Sequence, residues 1–254
     1  MTDSTPSVFL AGPYPRVFAH RGLAQGAPEN TLLAFVKALA SGATHLETDV
    51  HVSLDGIAVI SHDPDLSRLG RDLRIDQLTM AELKRINLGD GQSFTSLSDA
   101  LEAFPTALFN IDVKTDASAE PAARAILEQR ATDRVLVTSF NEQRRRRVVN
   151  LLPNVVSSAS SVLVAQAVTA TSLGLTQAVR RALRGCVAVQ VPERQGPIRI
   201  VTGRFIAMMH RVNVEVHVWT VNDPIDMVRL LELGVDGLVT DRTDLAVSAS
   251  TRRA

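Results

Sequence analysis

Short apolar, β-branched runs alternate along this chain with longer stretches in which apolar residues recur every three or four positions. The first run is Val17-Phe18-Ala19, ending in His20-Arg21-Gly22. Asn30-Thr31 then opens a stretch with Leu32, Leu33, Phe35, Val36 and Leu39 on one face, and Ser41-Gly42 closes it. Short polar residues at the start and glycine at the end are the marks of a capped helix. Further strands are predicted at about 45–52, 107–114, 134–140, 154–159, 186–191, 215–221 and 237–241. Helices are predicted between most of them, at about 97–104, 118–130, 141–151, 162–183, 202–211 and 224–233.

Strands separated by helices of this length pair in parallel, because a parallel connection needs a crossover. With the first run there are eight such strands, and no glycine-rich linker divides them. The pattern therefore favours an α/β fold, a single (β/α)₈ TIM barrel spanning 1–254 with its core at about 16–245, over a doubly wound open sheet. One connection departs from the period. After the second strand, Leu54-Asp55-Gly56 reads as a turn into an added strand, Ile57-Ala58-Val59-Ile60, ending at Ser61-His62-Asp63. Residues 64–96 are polar and irregular apart from a helical piece between Met80 and Ile86. A loop this long in a compact domain is usually functional, and this hairpin and loop insertion is expected to cover the mouth of the barrel.

Composition narrows the partners. The 254 residues carry 27 basic and 27 acidic side chains, so no global attraction to nucleic acid or an anionic membrane is expected. The basic run Arg144 to Arg147 falls on a predicted helix without aromatic residues nearby for base stacking, and reads as a solvated face. No apolar stretch of roughly eighteen residues could span a bilayer, and the first residues lack a basic start followed by an apolar run. The single cysteine, Cys186, excludes an internal disulfide and reads as a small core residue. A cytoplasmic, reducing location is expected, with a small molecule as partner; the pattern leaves the oligomeric state open.

Barrel enzymes carry their reactive groups at the C-terminal ends of the strands. Those ends hold His20 and Arg21, then Glu47 and Asp49, then Asp112 and Lys114, and the added strand ends at His62. Later ends bring Ser139 and Phe140, Gln190, Trp219 and Asn222, and Thr240 and Asp241. Residues two apart share a strand face, so Glu47, Asp49 and Asp112 would gather three carboxylates in a low-dielectric space. Such a cluster is costly without a positive charge among them, and an all-oxygen donor set suits a hard divalent cation. Arg21 and Lys114 beside it make a phosphate receptor, and His20 and His62 can exchange protons near neutral pH. Each feature alone is ordinary; a lone Glu-x-Asp is usually a solvated strand face. Their joint position at neighbouring strand ends points to phosphoryl chemistry.

These residues resemble a known family. His20-Arg21-Gly22, Pro28-Glu29-Asn30-Thr31, Glu47-x-Asp49-Val50, Asp55-Gly56 and His62-Asp63-Pro64 match in order and spacing the glycerophosphodiester phosphodiesterases. Asp112-Val113-Lys114, Ser139-Phe140-Asn141, Val218-Trp219-Thr220-Val221-Asn222 and Gly234-Val235-Asp236-Gly237 through Thr240-Asp241 agree more loosely, so the resemblance spans roughly 16 to 245. It implies a barrel hydrolase that converts glycerophosphodiesters to glycerol 3-phosphate and an alcohol. By carry-over, His20 and His62 are the general acid–base pair. Glu47, Asp49 and Asp112 hold one divalent cation, Mg²⁺ or Ca²⁺. Arg21 and Lys114 contact the phosphate, and Phe140 and Trp219 either flank the glycerol carbons or cap the core. The implied mechanism has the glycerol 2-hydroxyl attack phosphorus, the alcohol leave, and water open the cyclic phosphate.

Two positions depart from the family. Asp112 stands where many members have Glu, one methylene longer, and Leu66-Ser67-Arg68-Leu69-Gly70 replaces a threonine-rich segment. Glu29 is a candidate support for the phosphate site, while Asn30 is read as a helix cap. His51 shares the face of Glu47 and Asp49; His210 and His217 read as structural. Two other functions fit the pattern less well. A lysophospholipase D type activity on lipids would need an apolar entrance, which Ile75 to Leu97 provides only in part. A non-catalytic phosphate-ligand binder would have no use for the two histidines.

Overall fold

Alternation of side chains fixes how each strand is used. In Leu108–Val113, Phe109, Ile111 and Val113 are fully buried against the surrounding helices, while Asn110 and Asp112 point the other way, into the barrel. Each large apolar side chain removed from water in this way stabilises the fold by about 1.5–3 kcal/mol before entropy is counted. The chain is described here by a computed structural model, for residues 8–12 and 14–251.

The eight strands are β1 (Arg16–His20), β2 (His45–Val52), β3 (Leu108–Val113), β4 (Val135–Thr138), β5 (Val156–Ser157), β6 (Ala188–Pro192), β7 (Glu215–Trp219) and β8 (Gly237–Thr240). All run parallel in the order β5-β4-β3-β2-β1-β8-β7-β6. A parallel bridge between Ser158 and Ala188 joins the two ends, giving a nearly closed barrel. The helices around it are α1 (Leu32–Ala40), α2 (Leu97–Ala103), α3 (Ala119–Glu128), α4 (Glu142–Leu151), α5 (Ser161–Ser172), α6 (Thr176–Ala182), α7 (Gly203–Arg211), α8 (Pro224–Leu233) and α9 (Thr243–Thr251). No helix among the described residues is long and apolar enough to cross a membrane.

The N-terminal end of the barrel is plugged. Phe9, in a short 3₁₀ turn, packs with Phe18, Leu136, Ala188 and Val239 inside the strands. Arg16, 1% exposed, reaches Glu215 through Nε (2.7 Å) and Nη2 (2.8 Å), and its Nη2 also donates to the Leu10 carbonyl. His45 and His217 lie against Phe18 with ring centroids 4.6 Å away. The floor is closed, so chemistry is confined to the opposite end.

Several expectations are corrected. The single helix predicted over 162–183 is two, because Gly174 adopts a left-handed φ of 72° between α5 and α6. Helix α9 is not among the predicted helices; its buried side chains, Thr243, Ala246 and Ala249, are small, and Leu245 and Val247, which pack partly buried against the core, are too few to write an apolar period. A two-stranded hairpin, Arg194–Gln195 with Ile198–Arg199, follows β6 and was also unforeseen. The inserted strand Ala58–Ile60 does pair with β2, antiparallel. Residues 64–96, however, do not cover the mouth. Leu66, Ile75, Met80, Leu83, Ile86 and Phe94 gather around Val59 in a small core of their own. None of them lines the central cavity, because the segment has apolar side chains of its own to bury.

Candidate active site

The catalytic end is built by register. His20 on β1 stands beside Glu47 on β2, which stands beside Asn110 on β3. One layer nearer the mouth, Asp49 stands beside Asp112, and Asp112 beside Thr138. After His20 the chain turns sharply through Arg21 (φ 59°) and Gly22 (φ 83°). A Cβ on Gly22 would lie 2.7 Å from the Ala34 backbone, so only glycine fits this turn against α1. The turn aims the Arg21 amide at the Glu47 carboxylate, 3.0 Å away.

His20, Arg21, Glu47, Asp49, His62, Asp112, Lys114, Phe140 and Trp219 all line one cavity of about 690 Å³. The predicted set is thus brought together. Each histidine is backed by a carboxylate. His20 Nδ1 lies 2.6 Å from Asp241 Oδ1, and Asp241 Oδ2 accepts a hydrogen bond from Asn222 Nδ2 (2.7 Å). His62 Nδ1 lies 2.7 Å from Asp63 Oδ1, whose other oxygen pairs with Arg68 Nε at 2.7 Å. Burial alone would lower the His20 pKa, but the Asp241 hydrogen bond and the nearby Glu47 charge outweigh it and hold it above the ordinary value. Asp241 is correspondingly lowered, first by its bond to His20.

The carboxylates are buried and crowded. Burial, then the neighbouring Asp49 charge, pushes the Glu47 pKa up to about 8. Burial also raises Asp112. Lys114 Nζ sits 2.6 Å from both Asp49 Oδ1 and Asp112 Oδ2, and these anions raise its pKa against the opposing effect of burial. Lys114 was expected to contact phosphate; in this arrangement it bridges the two aspartates. Arg21 Nε lies 3.3 Å from Asp49 Oδ2 without hydrogen-bond geometry. Among the described residues no group of three His, Cys, Asp or Glu side chains is arranged to hold a metal ion, the Lys114 ammonium standing between two of the candidates. The donor chemistry nevertheless fits a hard cation. Asp112 Oδ1 and Asn110 Oδ1 are both buried without a partner, and buried acceptors of that kind are costly unless something meets them.

Asn30 is not the cap of α1. Thr31 fills that role, its Oγ1 accepting from the Ala34 amide at 3.3 Å. Asn30 is buried at φ 57° instead, donating to Asp49 Oδ2 (3.3 Å) and accepting from Thr48 Oγ1 (2.7 Å). Glu29 pairs with Arg21 and Arg68, both at 3.1 Å. His51 donates from Nε2 to the His62 carbonyl (3.1 Å) and so braces that residue. Phe140 is 60% exposed and does not cap the core; it meets Trp219 edge-on with centroids 6.0 Å apart at the cavity wall. The cavity wall also has an apolar part, made by Val164 and Val168 of α5, Val191, and Ile198 and Ile200 of the hairpin region, with Ser161, Thr169, Gln190 and Gln195 among the polar residues that line the cavity too. The Arg144–Arg147 run is not simply solvated, since Arg145 is buried against Glu142 and Ser157.

Asn110 and the Asp241–Asn222 pair are the parts of this site that sequence reasoning left without a role. Asn110 shares parity with Asp112 and Lys114, which places it in the lumen. Nothing local links Asp241 to a histidine 221 positions away.

A family model described as "Glycerophosphoryl diester phosphodiesterase family" matches residues 20–245. The chain is 39% identical over 230 residues to a Mycobacterium tuberculosis protein named "Probable glycerophosphodiester phosphodiesterase 2", covering 89% of this chain and 87% of the other. It is 27% identical over 247 residues, 91% of this chain and 96% of the other, to a glycerophosphodiester phosphodiesterase of Caldanaerobacter subterraneus. Among solved structures, a Thermotoga maritima glycerophosphodiester phosphodiesterase superposes with a TM-score of 0.70 at 28% identity, covering 93% and 99% of the two chains. An Oleispira antarctica phosphodiesterase solved with sn-glycerol-3-phosphate shares the fold, with a TM-score of 0.76 at 23% identity and 93% and 97% coverage.

Proposed function

The chain belongs to the glycerophosphoryl diester phosphodiesterase family and is a glycerophosphodiester phosphodiesterase, and from that premise we propose how its residues divide the reaction. The substrates are small glycerophosphodiesters, cleaved to glycerol 3-phosphate and an alcohol. Glu47, Asp49 and Asp112 would hold one divalent cation, Mg²⁺ or Ca²⁺, which supplies Lewis acidity toward the phosphate oxygens and the attacking hydroxyl. Support for that ligand set comes from the unpartnered Asp112 Oδ1 and from the raised pKa of Glu47, a buried carboxylate short of positive charge. Arg21 and Lys114 counter charge on the phosphate oxygens as it grows in the transition state.

One of the two imidazoles takes the proton of the glycerol 2-hydroxyl as that oxygen bonds to phosphorus. The other gives a proton to the departing alcohol oxygen as its bond to phosphorus breaks. Water then attacks the cyclic phosphate with the roles reversed: the second imidazole takes a proton from water, and the first returns its proton to the glycerol oxygen. The observation that carries this reading is that His20 and His62, each with Nδ1 engaged by a carboxylate, line the same cavity as two cations and three carboxylates.

Turnover of glycerophosphocholine tests it. Chelator is expected to abolish hydrolysis and Mg²⁺ or Ca²⁺ to restore it, and His20→Ala and His62→Ala should each lose about 10²–10⁴-fold in kcat while remaining folded. Full rate in chelator would remove the metal, and near-normal rates in both variants would remove the histidines. The apolar part of the cavity wall favours a second reading, a lysophospholipase D type activity with the acyl chain lying along α5. Faster turnover of lysophosphatidylcholine than of glycerophosphocholine would give that reading precedence.

A further inference from the structure

Outside the catalytic cavity, and sharing no residue with it, four arginines line a second concavity of about 420 Å³. It lies between Glu142, Arg145 and Arg146 of α4, Leu163 of α5, and Arg181 and Arg184 at and beyond the end of α6. Glu142 is the one carboxylate in this wall, and its oxygens are already taken up by Arg145, Arg146 and Ser160. Arg145 is buried and held from behind by Ser157, to which its Nη1 donates at 2.7 Å. Arg181 and Arg184 are exposed, and among the described residues neither side chain has a hydrogen bond or ion pair.

The charge is the unusual part. Four guanidiniums against one carboxylate leave a net charge of 4 − 1 = +3 in one concavity, in a chain whose formal charge is zero. Gathering like charges destabilises the compact state unless an anion meets them. Basic residues in the last turn of a helix do offset its dipole, and that accounts for Arg181. It does not account for Arg184, which lies past the helix end, or for the two arginines that face it from α4.

We propose that this concavity binds a compact, multiply charged, phosphate-bearing anion at a site separate from the catalytic one. Planar guanidinium forks match phosphate oxygens in pairs, and a net charge of three calls for a ligand with at least two. The volume suits a small molecule. Leu163 is the one large apolar side chain in the wall and there is no aromatic ring, so the site is not built around a nucleobase. Its position gives it a neighbour of consequence: on α5, Leu163 faces this concavity while Val164, Ala165 and Val168 face the catalytic one.

Calorimetric titration of pyrophosphate into the full chain tests the proposal, using Lys114→Gln to weaken the catalytic phosphate site. The Lys114→Gln protein is expected to keep one binding event. Adding Arg181→Ala and Arg184→Ala, both at exposed positions, should weaken that event by about tenfold or more, the loss of at least one charge-assisted hydrogen bond. The arginine pair changed alone should leave glycerophosphocholine turnover at its normal rate. Absence of any pyrophosphate binding at millimolar concentration by the Lys114→Gln protein would overturn the proposal, as would unchanged affinity without the two arginines. Vesicles of phosphatidic acid in phosphatidylcholine separate the sources of the phosphate group. Arginine-dependent sedimentation that pyrophosphate reverses assigns the site to a lipid headgroup, and pyrophosphate binding without sedimentation assigns it to a soluble anion.

Discussion

The two histidines of this site are backed differently, and the difference has a measurable consequence. Asp63, behind His62, is shared with the Arg68 cation, whereas Asp241, behind His20, is shared with the neutral Asn222 amide. Asp241 therefore acts on His20 with no cation paired to its other oxygen, and it is the main reason the His20 pKa stands above the ordinary value despite burial. It also fixes which ring nitrogen is engaged and hence how the imidazole is aimed. Asp241→Asn is expected to lose about a hundredfold in kcat, the lower end of what a general acid–base group contributes, with little change in KM. The limb of the pH–rate profile that belongs to His20 should move to lower pH, because the group that raised it has lost its charge. A variant with both kcat and that limb unmoved would show that Asp241 has no part in positioning His20. The aspartate could be seen at a strand end in the sequence; its partner could not, because contact across 221 positions exists only once β8 closes beside β1.

At the level of elements, most of the barrel could be read from period alone and most of the exceptions have a common origin. All eight barrel strands coincide with predicted runs, β1 and β6 each extending one residue further, to Arg16 and Pro192, because a strand that buries one face against helices must carry apolar residues there. What the pattern did not reveal are elements with few or no large apolar side chains to bury: α9, which adds only Leu245 and Val247, both partly buried, to its small buried residues, the Arg194–Arg199 hairpin with its glycine-proline turn, and the break at Gly174. The start of α1 shows the same limit at finer grain. Asn30 and Thr31 are equally good caps by composition, and the structure divides them, giving Thr31 to the helix and Asn30 to Asp49. That division predicts phenotypes that differ in activity. Thr31→Ala should cost about 1 kcal/mol of stability and leave kcat nearly intact. Asn30→Ala should depress kcat, because it frees the Asp49 carboxylate, and should also cost stability, because alanine tolerates the positive φ less well. Denaturant midpoints and kcat measured on both variants decide it; equal stability losses with equal activity would mean that Asn30 acts as part of the helix start after all.

Over the whole molecule, the barrel separates two populations of buried ionisable groups, and the leading member of each, His45 at the closed end and Glu47 at the open end, drives the pH dependence of stability in the opposite sense to the other. His45, 1% exposed beneath Phe9 and Phe18, has its pKa pushed down by burial from 6.5 to about 3. In the unfolded chain that imidazole takes a proton near 6.5, so the unfolded state binds the proton first as pH falls. The stability this group contributes is complete above about 6.5 and is lost progressively between there and about 3, at about 1.4 kcal/mol per pH unit when the two states differ by a full proton. His51 is lowered by burial and acts in the same sense. His20 acts in the opposite sense: its raised value stabilises the fold below its ordinary pKa, and that contribution is lost as pH rises through the raised one. Glu215, held down by Arg16 and His217, loses its contribution only below its ordinary value of 4.5. Glu47, pushed up to about 8, acts with His20: it stabilises the fold increasingly as pH falls from about 8 towards 4.5. Between pH 6.5 and 5 that effect is common to the unaltered protein and to His45→Gln, so the difference between the two isolates His45, glutamine still being able to donate to the Phe9 carbonyl that His45 Nε2 meets at 2.9 Å. Between those two pH values the unaltered protein should lose about 2 kcal/mol more than His45→Gln, measured by urea unfolding with activity following the folded fraction. Parallel pH curves for the two proteins would mean that His45 is protonated in the folded state, and that the closed end of the barrel admits enough water to solvate it.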